Sequence, residues 1–136
     1  MKGDSMKTKW VLVAEDNEDH RKALAFHLER AGHTVVSVRD GQVAWEILDE
    51  GQKFDLIMSD NNMPAMTGIE LLRRVKADPR TAGIRFVLMS AWLTLAEEAE
   101  YQKLCSKFDA SLIDKPFDLE KVIPELFGPK RVASNA

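Results

Sequence analysis

The sequence has little of what marks a secreted or membrane protein. A single cysteine, Cys105, cannot form an internal disulfide, which fits a reducing cytoplasm. The longest apolar runs are short, such as residues 86–89, whereas a membrane helix needs roughly 18 apolar residues. The basic start around Lys2 is not followed by the apolar segment and cleavage site of a secretory signal. We therefore expect a cytoplasmic protein that does not enter a membrane.

Positive charge is not in excess either. The chain has 19 Lys and Arg residues against 22 Asp and Glu residues, a formal net charge of −3, so the basic surplus of a nucleic-acid-binding protein is missing. A hydrophobic fraction of 45% with 30% charged residues is ordinary for a globular protein. A length of 136 residues corresponds to one domain. We expect a single domain that binds no nucleic acid.

Short apolar runs alternate with longer segments of helical periodicity. The predicted strands lie near residues 10–14, 34–38, 54–59, 85–90 and 110–114. The first, third and fourth runs are almost continuously apolar, which is typical of strands covered on both faces, so we place them in the middle of a sheet. The second run is more mixed and the fifth is brief, which predicts two edge strands.

A helix is predicted after each strand. Leu24, Leu28 and Ala31 share one face of the first helix, and Gly32 and Gly51 are predicted to stop the first and second helices. Thr94 with Glu97 three residues later forms a capping-box pattern at the start of the fourth. The remaining apolar faces are carried by Val43, Ala44, Ile47 and Leu48, by Leu71, Leu72 and Val75, and by Leu119, Val122, Ile123, Leu126 and Phe127 after Asp118.

Five strands that alternate with five helices predict an α/β fold. Connections of this length cannot be hairpins, so the strands must be parallel and joined by right-handed crossovers. The expected product is a doubly wound five-stranded parallel sheet between two helix layers, in the flavodoxin-like order 2-1-3-4-5. Ligands of such sheets bind at the carboxyl ends of the strands, at the switch point between strands 1 and 3.

Acidic residues follow the two strands at this switch point. Glu15 and Asp16 come directly after the first strand, and Asp60 comes after the third. Carboxylates gathered in one crevice repel one another unless a cation neutralises them, and a set of oxygen ligands alone favours Mg²⁺. Taken by themselves, Glu15 and Asp16 fit helix capping or solvation equally well, and either Asp16 or Asn17 could cap the first helix.

The fourth and fifth strands bring a hydroxyl and an ammonium group to the same edge. Ser90 ends the fourth strand, and Lys115 follows the fifth. Each residue alone is an ordinary surface or turn residue, but together with the acids they suit a phosphoryl group. An aspartate can attack phosphorus to form an acyl phosphate, whose oxygens a metal ion, a lysine and a hydroxyl can stabilise.

These motifs, in this order and each at a strand end, resemble the response-regulator receiver domain of two-component signalling. The resemblance runs from about residue 9 to residue 128, so we expect 9–128 to be the receiver domain and 1–8 and 129–136 to be flexible termini. The residues that carry it are Glu15-Asp16, Asp60-Asn61-Asn62-Met63-Pro64 with Gly68, Ser90-Ala91 and Lys115-Pro116-Phe117.

The resemblance implies a role for each of these residues. Asp60 would accept a phosphoryl group from a sensor histidine kinase or a histidine phosphotransfer protein. Asp16, Asp60 and the backbone carbonyl of Asn62 would bind Mg²⁺, with Glu15 assisting directly or through water. Lys115 would contact the phosphoryl group, and Ser90 would be the switch hydroxyl. By the same resemblance the peptide bond before Pro116 is expected to be cis.

Four positions attract attention against this family. Three residues before Lys115 the family commonly has tyrosine or phenylalanine, whereas this chain has Leu112, which offers less area and no hydroxyl. Asn61 is polar where an apolar residue is common, and Asp109 stands where glycine is common; neither is expected to touch the chemistry. We expect the bulk of Trp92 either to shield the pocket from water or to dock a partner.

Three functions remain open from the residues. The leading hypothesis is a signalling switch that catalyses only its own phosphorylation and dephosphorylation and signals by binding an unknown downstream protein. An alternative is a pseudo-receiver that serves only as a protein-binding module. A phosphohydrolase with an aspartyl-phosphate intermediate is less favoured, because such enzymes need a second acid two residues after the nucleophile, where this chain has Asn62.

Overall fold

Strands and helices alternate strictly along the chain. A computed structural model describes residues 8–91, 93–106, 110–115 and 117–127. None of the helices in this part of the chain is long and apolar enough to cross a membrane. The elements are β1 (Trp10–Ala14), α1 (Glu18–Arg30), β2 (Thr34–Val38), α2 (Gly41–Asp49), β3 (Leu56–Asp60), α3 (Gly68–Ala77), β4 (Arg85–Ser90), α4 (Leu95–Cys105), β5 (Ala110–Asp114) and α5 (Leu119–Phe127).

The five strands form one parallel sheet in the order β2-β1-β3-β4-β5. This order confirms the predicted doubly wound topology, and it places β2 and β5 at the edges as expected. The side chains of the central strands are almost entirely buried. The switch point therefore lies between β1 and β3, where Ala14 pairs with Ser59 at the carboxyl end of the sheet.

The third strand begins two residues later than the sequence predicts. Its pairing with β1 starts at Val11 and Leu56. Before that point the Asp55 carboxylate accepts a hydrogen bond from the Trp10 N–H at 2.8 Å. The Asp55 N–H in turn donates to the Trp10 carbonyl at 2.8 Å. Phe54 is buried in the core although it is outside the strand. Its apolar character reflects packing against the core rather than membership of the strand.

Two apolar layers cover the two faces of the sheet, because successive side chains of a strand point to opposite faces. One layer packs Leu12, Ile57 and Leu88 against α2 and α3. The other packs Val13 and Met58 against α1 and α5. Helices on both faces explain why the central strands are apolar at consecutive positions.

The helix ends follow the sequence signals with one exception. Asn17, rather than Asp16, caps α1, because its side chain accepts a hydrogen bond from the His20 N–H at 3.0 Å. Gly32 and Gly51 have φ of 98° and 102° and follow the last turns of α1 and α2, as predicted. Ala31 was wrongly placed on the buried face, since it is the exposed C-cap of α1 and the helix ends before it.

Candidate functional site

Three carboxylates converge where β1 and β3 end. One ligand oxygen each from Glu15, Asp16 and Asp60 can be chosen so that all lie within 4.8 Å of one another. Glu15 is 1% exposed and Asp60 is 5% exposed, whereas Asp16 faces solvent. The sequence therefore placed these acids correctly in one cluster, with two members taken out of water and the third accessible.

The backbone fixes Glu15 at the end of its strand. Its N–H donates to the Val38 carbonyl at 3.0 Å, which continues the pairing of β1 with β2 past Ala14. Its own carbonyl accepts a hydrogen bond from the Arg21 guanidinium at 2.9 Å. The Glu15 carboxylate also accepts from the Asn17 N–H at 3.2 Å. These bonds hold the carboxylate at the edge of the sheet beside the start of α1.

Lys115 bridges the two buried acids. Its Nζ lies 2.9 Å from Asp60 Oδ1 and 3.3 Å from Glu15 Oε1. The Lys115 N–H donates to the Ser90 carbonyl at 2.9 Å, so the end of β4 sets where the lysine leaves the sheet. One cation thus contacts carboxylates from two different strands.

The charges in this cluster do not balance. Burial raises the pKa of Glu15, the Asp60 charge raises it further, and Lys115 offsets this only in part. Burial lowers the pKa of Lys115, but the two carboxylates outweigh burial and leave that pKa above its ordinary value. Within the described part of the chain the cluster contains three acids, and Lys115 contacts two of them. An oxygen-only set of this size can hold a divalent ion such as Mg²⁺.

Ser90 and Asn62 lie on the same edge of the sheet as the acids. Ser90 is the last residue of β4 and is 1% exposed. The strand beside it ends at Asp60, and the Asn61 N–H donates to the Met89 carbonyl at 3.0 Å. Asn62 is exposed in the loop that follows β3. The roles assigned to Ser90 and Asn62 stay predictions. Asn62 follows Asp60 by two residues, and the Ser90 carbonyl accepts the hydrogen bond from the Lys115 N–H.

Asn61 makes contacts beside Asp60 that the sequence did not predict. This residue has no exposed surface. Its side-chain oxygen accepts a hydrogen bond from the Ile69 N–H at 3.0 Å, and its side-chain nitrogen donates to Glu97 at 3.2 Å. It therefore joins α3 and α4 directly beside Asp60. The available signal was a polar residue at a place where the resembled family commonly has an apolar one.

Close packing explains why residue 68 is glycine. It is the first residue of α3, and a Cβ there would lie 2.4 Å from the Asp60 carbonyl oxygen. A Cβ would also lie 2.6 Å from a methyl carbon of Leu88. Only glycine lets α3 pack this closely on the end of β3.

Several expectations lie outside the described residues. They concern the role of Trp92, the peptide bond at Pro116, the departure at Asp109, and the flexible segments 1–8 and 129–136 apart from Thr8. Leu112 is described: it is half-buried and packs against the apolar layer that contains Tyr101 of α4.

The family is decided by a match over most of the chain. A model of the response regulator receiver domain matches residues 11–126. The chain belongs to the response regulator receiver domain family. The family is that of two-component signalling, which agrees with the resemblance drawn from the strand-end motifs.

Curated receiver proteins are similar over nearly their whole length. The response regulator receiver protein CpdR of Brucella abortus is 35% identical over 118 residues, which cover 87% of this chain and 93% of that protein. The probable chemotaxis protein CheY of Rhizobium etli is 31% identical over 122 residues, covering 87% and 92%. Receiver sequences also occur inside longer proteins, since the similarity to regA of Dictyostelium discoideum covers only 10% of that protein.

Solved receiver structures share the fold. The chemotaxis response regulator CheY4 of Vibrio cholerae has a TM-score of 0.75 at 26% identity, covering 88% of this chain and 97% of that one. The phosphorylated cyanobacterial phytochrome response regulator RcpA has a TM-score of 0.73 at 26% identity, covering 90% and 91%. These likenesses confirm the predicted receiver architecture.

Proposed function

We propose that this receiver is a phosphoacceptor switch that takes a phosphoryl group from a phosphohistidine onto Asp60 and signals by binding another protein. The observation that carries the proposal is the contact of Lys115 Nζ with Asp60 Oδ1 at 2.9 Å inside a cluster of three acids. A carboxylate that is buried at the end of a strand and contacted by a lysine is positioned to attack phosphorus. RcpA, a relative of similar fold, was crystallised in phosphorylated form.

The chemistry follows from the placement of the groups. One carboxylate oxygen of Asp60 forms a bond to phosphorus while the bond from phosphorus to the donor histidine nitrogen breaks, and the imidazole leaves with its electron pair. The Lys115 ammonium attracts the oxygens of the transferring group, and the Ser90 hydroxyl donates a hydrogen bond to one of them. The protein catalyses only this transfer and the later hydrolysis of its own acyl phosphate.

Glu15, Asp16, Asp60 and the backbone carbonyl of Asn62 are the residues that would hold Mg²⁺. The fit rests on the donor set, which offers oxygen ligands without histidine or thiolate. A bound divalent ion would neutralise negative charge on the phosphoryl oxygens. Asp16 suits this role because Asn17 does the capping and leaves the Asp16 carboxylate at the solvent side of the cluster.

The partners follow from the same reaction. The donor would be a sensor histidine kinase or a histidine phosphotransfer protein, and the reader would be a downstream protein that distinguishes the two states of Asp60. We place this exchange in the cytoplasm.

Incubation with acetyl phosphate and Mg²⁺, followed by intact-protein mass spectrometry, tests the proposal. The unaltered protein should gain the mass of one phosphoryl group, and the gain should disappear when EDTA removes the metal. Asp60→Asn should gain nothing, because the amide is not a nucleophile. Asp19→Asn is the matched control, since Asp19 is an exposed acid on the first turn of α1 and should leave the gain unchanged.

The alternatives give different results. A pseudo-receiver would gain no mass from acetyl phosphate or from a phosphorylated histidine donor. A phosphohydrolase would instead turn over many equivalents of a phosphomonoester. A phosphoryl group that arrives on the Asp60→Asn variant as readily as on the parent would disprove the assignment of the acceptor.

A further inference from the structure

We propose that Asn61 is a positioning residue that connects Asp60 to the start of α4 through Glu97, so that a change at Asp60 alters how firmly α4 is held. The signalling meaning of this connection rests on the proposed phosphorylation of Asp60. The connection itself is a set of hydrogen bonds in the unmodified protein and can be tested without a phosphoryl group.

Asn61 is held from several sides directly after Asp60. Its N–H donates to the Met89 carbonyl at 3.0 Å, and its own carbonyl accepts from the Gly68 N–H at 3.0 Å. Its side-chain oxygen accepts from the Ile69 N–H at 3.0 Å. These bonds join the ends of β3 and β4 to the first turn of α3. A backbone shift at Asp60 therefore cannot leave the Asn61 side chain where it is.

The amide nitrogen of Asn61 reaches α4. It donates to Glu97 Oε2 at 3.2 Å. The other oxygen, Oε1, accepts from the Thr94 N–H at 3.0 Å, while the Thr94 hydroxyl accepts from the Glu97 N–H at 3.1 Å. One carboxylate thus completes the capping box of α4 and also binds the residue that follows Asp60. Because the acceptor is charged, this hydrogen bond is stronger than one between neutral groups.

The contact matters because α4 has little apolar attachment. Tyr101 is its one buried residue, whereas α3 buries six. A second polar contact holds α4 farther along, where Arg73 Nη2 donates to Glu100 Oε1 at 2.8 Å. Because α4 buries one side chain, the stability of its first turn depends strongly on the hydrogen bonds of Glu97.

Electrostatics give the connection a direction. A phosphoryl group adds about 1.5 to 2 negative charges at neutral pH. Added charge at Asp60 should repel the Glu97 carboxylate, which is hydrogen-bonded to the side chain of the next residue, Asn61. Phosphorylation should therefore weaken the Asn61–Glu97 bond and loosen the first turns of α4. This route needs no aromatic residue at position 112, where this chain has leucine.

Amide hydrogen exchange over residues 97–101 measures the connection in four unmodified proteins: the parent, Asp60→Asn, Asn61→Ala and the double variant. Asn61→Ala should speed exchange by about fivefold, the loss expected for one net hydrogen bond. Asp60→Asn removes negative charge and should slow exchange by about threefold in the parent. In the Asn61→Ala background this slowing should vanish. An equal slowing in both backgrounds would overturn the proposal.

Because Asn61 is buried, Asn61→Ala could also disturb the structure around it. Two substitutions in α4 control for that effect. Glu97 is partly exposed, so Glu97→Gln should be tolerated. The glutamine keeps an oxygen that can accept from the Thr94 N–H but lacks the charge that strengthens the bond to Asn61. This variant should therefore abolish the response of exchange to Asp60→Asn. Glu100→Gln weakens the other contact of α4, with Arg73, and should speed exchange while keeping that response. Loss of the response in both variants alike would also overturn the proposal.

Acetyl phosphate and Mg²⁺ extend the test, with mass spectrometry reporting phosphorylation separately from exchange. The phosphorylated parent should exchange faster over residues 97–101, and phosphorylated Asn61→Ala should show no further change. A parent that gains no mass would count against the proposed function, and the four-protein cycle would still decide the connection. An Asn61→Ala protein that gains the mass and loosens α4 as much as the parent would refute it.

Discussion

The two ends of the sheet differ in how their buried polar groups are paired. At the amino end of β4, Lys76 Nζ donates to the carbonyls of Ala82 and Ile84, and the Thr81 hydroxyl donates to the Val75 carbonyl at 2.7 Å. At the carboxyl end, Glu15 and Asp60 are buried beside each other with Lys115 between them. In the first arrangement the charge binds neutral carbonyls, whereas in the second, among the residues that the structure describes, acids outnumber the lysine that contacts them.

This difference separates stability from function. Lys76 is 4% exposed and closes the connection between α3 and β4, so its hydrogen bonds serve the fold. In the acid cluster, burial and the Asp60 charge raise the pKa of Glu15, so the cluster opposes the fold, and under the proposed function it would serve cation and phosphoryl binding instead. Substitutions at the two ends should therefore have effects of different sign or size.

The largest effect is expected from a methyl group at the carboxyl end. Gly68→Ala should lower the free energy of unfolding by about 3 kcal/mol, because its Cβ would lie 2.4 Å from the Asp60 carbonyl oxygen, where little can yield. Gly83→Ala is the matched control near the amino end, since a Cβ there meets nothing within 4 Å and should change stability by less than about 0.5 kcal/mol. Urea denaturation of both variants checks this, and equal costs would contradict it.

Lys76→Met tests the amino end. It should cost about 2 kcal/mol of unfolding free energy, because the Ala82 and Ile84 carbonyls lose their charged donor in a buried place. The exposed Lys103→Met on α4 should be close to neutral. Phosphorylation from acetyl phosphate should be retained in folded Lys76→Met. If Lys76→Met were as stable as Lys103→Met, the hydrogen bonds of Lys76 would not stabilise the fold.

Asp60→Asn should have the opposite sign. Without divalent ions it should raise the free energy of unfolding by about 1 kcal/mol, since it removes one charge from an acidic surplus. Addition of Mg²⁺ should stabilise the parent and leave the variant nearly unchanged, because binding to the native state alone raises stability. Thermal melts in EDTA and in Mg²⁺ measure both effects. A variant that is less stable than the parent in EDTA would show that the cluster stabilises the fold.

The smallest effect is expected from pH at the amino end. Burial lowers the pKa of His33, Lys9 lowers it further and Asp55 partly opposes this. Its Nδ1 accepts from the Lys9 N–H at 3.2 Å, and its ring stacks on Phe127. The unfolded chain therefore binds a proton more readily, so this contribution is full above pH 6.5 and declines as the pH falls toward the folded pKa.

Urea denaturation at pH 7.5 and pH 5 measures this contribution. The loss of stability on acidification should be smaller in His33→Gln than in the parent. His20→Gln, at an exposed position on α1, should lose as much as the parent does. An identical loss in parent and His33→Gln would show that other groups account for the change.

The sequence predicted the architecture because its strongest signals were redundant. The continuously apolar runs at β1, β3 and β4 each mark a central strand, and their order along the chain leaves few topologies. The capping box of Thr94 and Glu97 was also predicted correctly, because it depends on residues only three positions apart. The end of α1 was misjudged at Ala31, because alanine suits a buried helix face and a C-cap equally well.

The cluster of acids was predictable for a topological reason, and its finer contacts were not. Parallel strands bring their carboxyl ends together, so Glu15, Asp16 and Asp60 had to approach one another. The bond between Asn61 and Glu97 joins residues 36 positions apart through side-chain conformation, which no periodicity encodes. The tight approach of Gly68 to Asp60 is equally invisible, since a sequence shows only that glycine is present.

The bridge between Glu15 and Lys115 also indicates when the acid cluster is completed during folding. Its two residues lie 100 positions apart, so the lysine can meet the acids only after β5 has taken its place at the edge of the sheet. A chain still being synthesised, or one that has lost its last strand, would carry the acids without their cation. The bridged cluster is therefore a late feature of folding, complete only once the last strand has joined the sheet, and the proposed phosphoacceptor role would begin at that stage.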